Sequence, residues 1–228
     1  MLLYYITDRS QFAGDEAKRR SRLLTTVVEA ARCGIDYIQL REKDLSSHDL
    51  ETLANEAVRR LRTENQKLKT VFLINSRTDI ALASRAQGVH LRSNDISPSE
   101  VKKIWTQGGG TPARVTVGVS CHTRSEVDRA AQSGADFAVF GPVFEKGKTS
   151  TRLTGLDALR DACREQIPVM ALGGVTLENA EGCLRAGAAG IAAIRLFQQN
   201  EMGKVVAALR RLKADVGPQS PDVGQSKN

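Results

Sequence analysis

The sequence predicts an α/β fold, a single-domain (β/α)8 TIM barrel, and three observations carry that expectation. Short β-rich runs alternate with amphipathic helical stretches, the pattern of parallel strands joined by crossover helices. The candidate strands number eight, which favours a closed barrel over a doubly wound open sheet. Several joints also share one grammar: ARCGIDYIQL, ASRAQGVHL, AAQSGADFAVF and LRAGAAGIAAI put Gly34, Gly88, Gly134 and Gly187 between a helix and a strand. Glycine suits the left-handed position that ends a helix.

The strands are expected at Leu2–Thr7, Tyr37–Leu40, Thr70–Asn75, Gly88–Leu91, Val115–Val119, Phe137–Phe140, Val169–Leu172 and Gly190–Ile194. Helical patterns lie near 17–33, 47–64, 78–86, 97–106, 124–133, 156–165, 177–186 and 200–213, so each strand has a following helix. The barrel is expected over 1–213, with a disordered polar tail over 214–228, where Pro and Gly recur among polar residues. Gly108–Pro112 (GGGTP) precedes the fifth strand and reads as a surface loop, not a phosphate cradle.

At 228 residues, 41% hydrophobic and 26% charged, the chain has globular composition and ordinary size for one barrel. No apolar run approaches the roughly 18 residues of a membrane span. The opening MLLYYITDRS lacks the cationic lead and long apolar stretch of a signal peptide, so a soluble, cytoplasmic protein is expected. A net charge of +7 raises the question of nucleic acid, but acids interleave with the cations and aromatics are 4%. Neither a basic stripe nor a stacking platform is visible, and small anionic metabolites account for the charge equally well. Four cysteines without CxxC spacing read as reduced residues.

In such a barrel the chemistry lies at the C-terminal ends of the strands. After the second strand, alternation puts Gln39, Arg41 and Lys43 on one face, an amide and two cations suited to a polyanion beside a hydrogen-bonding ring. A solvated strand end with scattered charges is the bland alternative. The third strand exits at Asn75-Ser76 and the fourth at His90-Leu91-Arg92-Ser93-Asn94-Asp95. Asp95 is a candidate magnesium ligand, while His90, mid-strand among apolar residues, reads as a packed or orienting residue. On the fifth exit Ser120 and His122 share a face, a hydroxyl and a potential acid/base; the alternative is that His122 caps the next helix. The sixth exit runs into a cationic, hydroxyl-rich loop, Glu145–Arg152, containing Lys148, which reads as a phosphate cover or as a plain loop. Gly173-Gly174 and Ile194-Arg195 end the seventh and eighth strands, the usual phosphate position of these barrels.

YYITDR, YIQLREK, LINSRTDIALA, GVHL followed by Asp95, GVSCHT, GADFAVFGPVF and ALGGVTLEN together resemble the family of thiamine phosphate synthase and its relative thiazole tautomerase, from about Leu3 to Phe197. The resemblance implies a transferase of thiamine biosynthesis that joins an aminopyrimidine diphosphate to a thiazole phosphate, expelling diphosphate with magnesium. It assigns Gln39 and Asn75 to the pyrimidine, Arg41, Lys43 and Asn75 to diphosphate, and Asp95 to the metal. Ser120 would lie beside the reacting groups, Lys148 on diphosphate, and Gly173, Gly174, Ile194 and Arg195 around the thiazole phosphate. Oligomers are common among such barrels, so a homo-oligomer is an implied partner.

Departures accompany the resemblance. Ser76 stands where synthases usually carry a second metal carboxylate, which weakens the magnesium assignment; Arg92-Ser93 replaces a common Gly-Gln, and Arg195 a usual Ser. A small residue after Asn75 also resembles the tautomerase branch, in which His122 would move a proton. A non-catalytic binder of thiazole or thiamine phosphates is the third reading. The retained Gln39, Arg41, Lys43 and Asp95 favour the synthase.

Overall fold

In a computed structural model, which describes residues 1–64, 69–108, 115–144 and 155–215, eight parallel strands close into one barrel in sequence order. They are β1 (Leu2–Ile6), β2 (Tyr37–Leu40), β3 (Val71–Asn75), β4 (Gly88–Leu91), β5 (Thr116–Cys121), β6 (Phe137–Phe140), β7 (Val169–Leu172) and β8 (Gly190–Ala193). β1 closes on β8 with Tyr4 opposite Ala192, and pairs β2 with Ile6 opposite Gln39. The helices are α1 (Glu16–Arg32), α2 (Ser47–Glu64), α3 (Thr78–Ala83), α4 (Pro98–Gln107), α5 (Arg124–Gln132), α6 (Gly155–Ala162), α7 (Ala180–Arg185), α8 (Arg195–Gln198) and α9 (Met202–Asp215).

Strand alternation sorts the core into two layers. Tyr4, Ile6, Leu73, Phe137, Val139, Met170 and Ala192 fill the barrel interior, while Leu3, Tyr5, Ile38, Leu40, Phe72 and Ile74 pack outward beneath the helices. Local chemistry starts the helices where expected. Asp15 accepts a hydrogen bond from the Lys18 amide at the head of α1, and α4 opens on a Ser97/Glu100 capping box with Pro98 in its first turn.

Several details differ from the sequence reading. Gly34, Gly134 and Gly187 take positive φ at helix ends, but in ASRAQGVHL the left-handed residue is Arg85 (φ 55), and Gly88 lies inside β4. There its lack of a side chain serves strand contact: a Cβ would fall 1.8 Å from the Thr116 carbonyl oxygen. The helix after β7 begins at Ala180 rather than Leu177, because Asn179 folds back, accepting from the Thr176 amide and donating to the Gly174 carbonyl. The four-residue α8 went unforeseen, since one turn has no helical period to read. It is pinned by Gln198, which accepts from the Tyr5 hydroxyl and donates to the Asp8 carbonyl. The tail expected from 214 begins too early, because α9 continues through Asp215; the rest of it from 216, the GGGTP loop from 109 and the whole of Glu145–Arg152, Lys148 included, lie outside the described residues.

Candidate active site

The exits of β1 to β5 bring their polar side chains into one hydrogen-bonded chain across the top of the barrel. Ser120 Oγ lies 2.8 Å from His90 Nε2, and His90 Nδ1 lies 3.0 Å from the Tyr4 hydroxyl. Tyr4 is 3.1 Å from Gln39 Oε1, and Gln39 Nε2 is 2.8 Å from Asn75 Oδ1. Asn75 Nδ2 reaches Ser76 Oγ at 3.3 Å, and Ser76 Oγ reaches Asp95 Oδ2 at 2.7 Å. Gln39 and His90 are almost wholly buried, and these are their side-chain partners among the described residues.

The chain can carry its protons in only one direction. Asp95 is acceptor-only when ionised, so Ser76 donates to it. Ser76 therefore receives the Asn75 NH2, which turns the Asn75 oxygen to the Gln39 NH2 and the Gln39 oxygen to Tyr4. Tyr4 spends its one proton on Gln39, so His90 must carry a proton on Nδ1 to meet the Tyr4 oxygen. His90 Nε2 is then bare and accepts from Ser120, leaving the lone pairs of the Ser120 oxygen directed at the mouth. Burial, reinforced by the Arg41 charge, pushes the His90 pKa down to about 3 against a smaller opposing pull from Asp95, so the imidazole is neutral at physiological pH.

That depression makes a prediction about stability. Between the ordinary 6.5 and about 3, the unfolded chain binds a proton that the folded one refuses. The His90 contribution is thus complete above pH 6.5 and declines as pH falls, by about 1.4 kcal/mol per pH unit. Chemical denaturation of wild type and His90→Gln over this range should give slopes that differ by about that amount; parallel slopes would contradict a buried neutral imidazole.

Behind this chain a second cluster holds the β2 exit. Glu42 points away from the mouth, accepting from Thr7 Oγ1 at 2.6 Å, from the Arg9 amide at 3.0 Å and from Arg9 Nη1 at 3.1 Å. Thr7 Oγ1 accepts from the Arg41 amide at 3.0 Å, and Arg9 forks onto Asp44 at 2.7 and 2.8 Å. With Glu42 anchored inward, its neighbours Arg41 and Lys43 are presented on the other face. Among the described residues neither forms an ion pair, and the Lys43 pKa is lowered, first by the Arg41 charge, then by burial and by Arg92.

On the opposite side of the mouth lies a cavity of 630 Å³ whose lining includes Asp8, Gly173, Gly174, Ile194 and Arg195. The glycine pair is required by packing as well as by any ligand. Both have positive φ (98 and 63), and a Cβ on either would strike the segment after β6, 2.6 Å from Pro142 or 2.8 Å from Phe144. His122 does not cap α5. Thr123 does, accepting from the Glu126 amide, while the His122 ring bonds the Gly141 carbonyl through Nδ1. A carbonyl only accepts, so this Nδ1 carries the proton, and Nε2 has no hydrogen-bond partner among the described residues.

The donor set does not fit a resident magnesium ion. Asp95 Oδ1 accepts from Arg92 Nε (3.0 Å) and Nη2 (2.8 Å), and Oδ2 from the Arg92 amide (2.8 Å) and Ser76 Oγ (2.7 Å). Four donors occupy the roughly four lone-pair positions of a carboxylate. Among the described residues no three His, Cys, Asp or Glu gather as a metal centre. Sequence reasoning missed Tyr4, Arg9, Glu42 and Arg92 as parts of the site.

A family model described as thiamine monophosphate synthase matches residues 3–197. A thiamine-phosphate synthase of Methanocella arvoryzae is 36% identical over 219 residues, covering 93% of each chain. That of Methanoculleus marisnigri is 34% identical over 214 residues, covering 92% of this chain and 93% of its own. A solved thiamine phosphate pyrophosphorylase from Pyrococcus furiosus superposes with a TM-score of 0.76 at 29% identity, over 95% of this chain and 97% of that one.

Proposed function

Because the chain belongs to the thiamine monophosphate synthase family, we propose that the mouth just described is where its two substrates meet. The protein is a transferase of thiamine biosynthesis, a thiamine-phosphate synthase on a TIM barrel. In that reaction the bond from the pyrimidine methylene carbon to diphosphate oxygen breaks, its electron pair leaving on diphosphate. The thiazole nitrogen supplies the pair for the new carbon–nitrogen bond, and the ring ends as a thiazolium. No proton has to move, so the protein's task is positioning and charge stabilisation.

The observation that carries the residue assignment is the division of the mouth into two sides. Gln39 and Asn75 offer hydrogen-bonding groups beside the cations of Arg41 and Lys43, which form no ion pair among the described residues, and this suits the pyrimidine diphosphate. The cavity at Gly173, Gly174, Ile194 and Arg195 suits the thiazole phosphate, Arg195 adding a cation at its rim. Ser120 stands between, and its outward lone pairs face the carbon on which positive charge develops. Lys148 is assigned to diphosphate by the resemblance alone. A magnesium ion enters none of these steps.

Purified protein given both substrates should release thiamine phosphate and diphosphate in equal amounts. Isomerisation of a carboxylated thiazole phosphate instead, lost on His122→Ala, would support the tautomerase reading. Binding of thiazole phosphate with neither reaction would support a non-catalytic role.

A further inference from the structure

We propose that Arg92 does the work of a divalent cation in this chain: held on Asp95, its guanidinium joins Arg41 and Lys43 in a metal-free clamp that binds diphosphate and stabilises its departure. The identity of the anion rests on the synthase reading above; the clamp itself rests on the geometry around Asp95.

Arg92 and Asp95 close a tight turn at the β4 exit. The Asp95 amide donates to the Arg92 carbonyl at 3.1 Å, the Arg92 amide returns to Oδ2, and the guanidinium lies on Oδ1. Ser76 completes the shell because its left-handed backbone (φ 58) carries Oγ to Oδ2. A metal ion would have to displace donors that already fill the carboxylate, and magnesium demands near-octahedral oxygen geometry. The guanidinium spends Nε–H and one Nη2–H on Asp95, so three of its five N–H groups remain for an anion. These are planar, fixed and permanently charged, the properties that suit arginine to phosphate oxygens.

The charges are also mutually consistent. Arg92 is exposed at the β4 exit, and its field reaches the Lys43 ammonium together with that of Arg41. Arg41 and Arg92 each repel the Lys43 ammonium; a polyanion among them relieves that repulsion, and its negative charge grows as the carbon–oxygen bond breaks. Asp95 holds Arg92 in place and, being already paired, opposes the anion little.

Calorimetry with inorganic diphosphate tests the clamp without turnover. In EDTA, wild type should bind diphosphate within about threefold of its affinity in magnesium, and Arg92→Gly should bind on the order of 10- to 150-fold more weakly. Thiamine phosphate formation should likewise survive EDTA. The double variant Arg92→Gly with Ser76→Asp frees one carboxylate and adds another, so its diphosphate affinity should become magnesium-dependent, which also reports that the site is still folded. Binding by wild type that appears only with magnesium, or Arg92→Gly binding as tightly as wild type in EDTA, overturns the proposal. Product that forms only with magnesium likewise overturns the clamp, whereas diphosphate binding in EDTA with no product from both substrates, with or without magnesium, would overturn the synthase reading and leave the clamp standing.

Discussion

Truncating Glu42 to alanine should cost the fold about 3–5 kcal/mol, the range for breaking a buried charge pair from one side. The side chain is 2% exposed and its Arg9 partner 6%. Its loss strands the Thr7 hydroxyl and the Arg9 amide along with part of the guanidinium. Arg9 keeps Asp44 and Glu16, which argues for the lower end of the range. Glu42→Gln keeps the shape and one acceptor and should lose less. Urea unfolding followed by Trp105, the one tryptophan of the sequence, reads both values. A cost below about 1 kcal/mol for the alanine variant would mean that the cluster does not hold the β1 and β2 exits together. Because Thr7 also receives the Arg41 amide, Glu42→Ala should raise KM for the diphosphate substrate more than for the thiazole phosphate, a split that general destabilisation does not produce.

The same cluster explains why much of the site could be read from the sequence and part could not. Strand alternation put Gln39, Arg41 and Lys43 on one side because an extended backbone has a period of two, and that rule needs no tertiary knowledge. It equally assigned Glu42 to the other side, where a charged residue reads as solvent-facing until a partner appears. The partner is Arg9, 33 residues earlier, and no local pattern joins them. Tyr4 was hidden for a related reason. In an apolar strand it is an ordinary core residue, and only barrel closure brings its hydroxyl between Gln39 and His90. Glycine shows the opposite failure: Gly88 fitted the grammar of the helix stops, yet its role is set by the approach of β5, a contact invisible to local spacing. What local rules read well was the fold: all eight strands lie within a residue or two of their expected bounds, because β/α units repeat the same short-range signals at every turn of the chain.

Tyr4→Phe is the sharpest test of the proton order across the barrel. The substitution keeps the ring among Tyr37, Phe137 and His90 and removes only the oxygen between His90 and Gln39. Without it, His90 Nδ1–H has no acceptor, a cost of about 1–3 kcal/mol for a buried polar group. The imidazole escapes that cost by moving its proton to Nε2 and donating to Ser120. The Ser120 proton then turns toward the mouth, where a hydrogen faces developing positive charge in place of a lone pair. Regaining the outward lone pairs for the reaction would bring that cost back, so a kcat fall of about 10- to 100-fold is expected, with KM for thiazole phosphate little changed. Ser120→Ala should fall on the order of 10²–10³-fold, as for loss of one preorganised polar group. Adding Tyr4→Phe to Ser120→Ala should then cost almost nothing more, because Tyr4 acts through the hydroxyl already removed. Nitrogen NMR of the His90 ring reads the mechanism directly, as Nδ1–H in the wild type and Nε2–H in Tyr4→Phe. Independent, multiplicative losses, or one tautomer in both proteins, would reduce Tyr4 to packing and leave the orientation of Ser120 to the substrate itself.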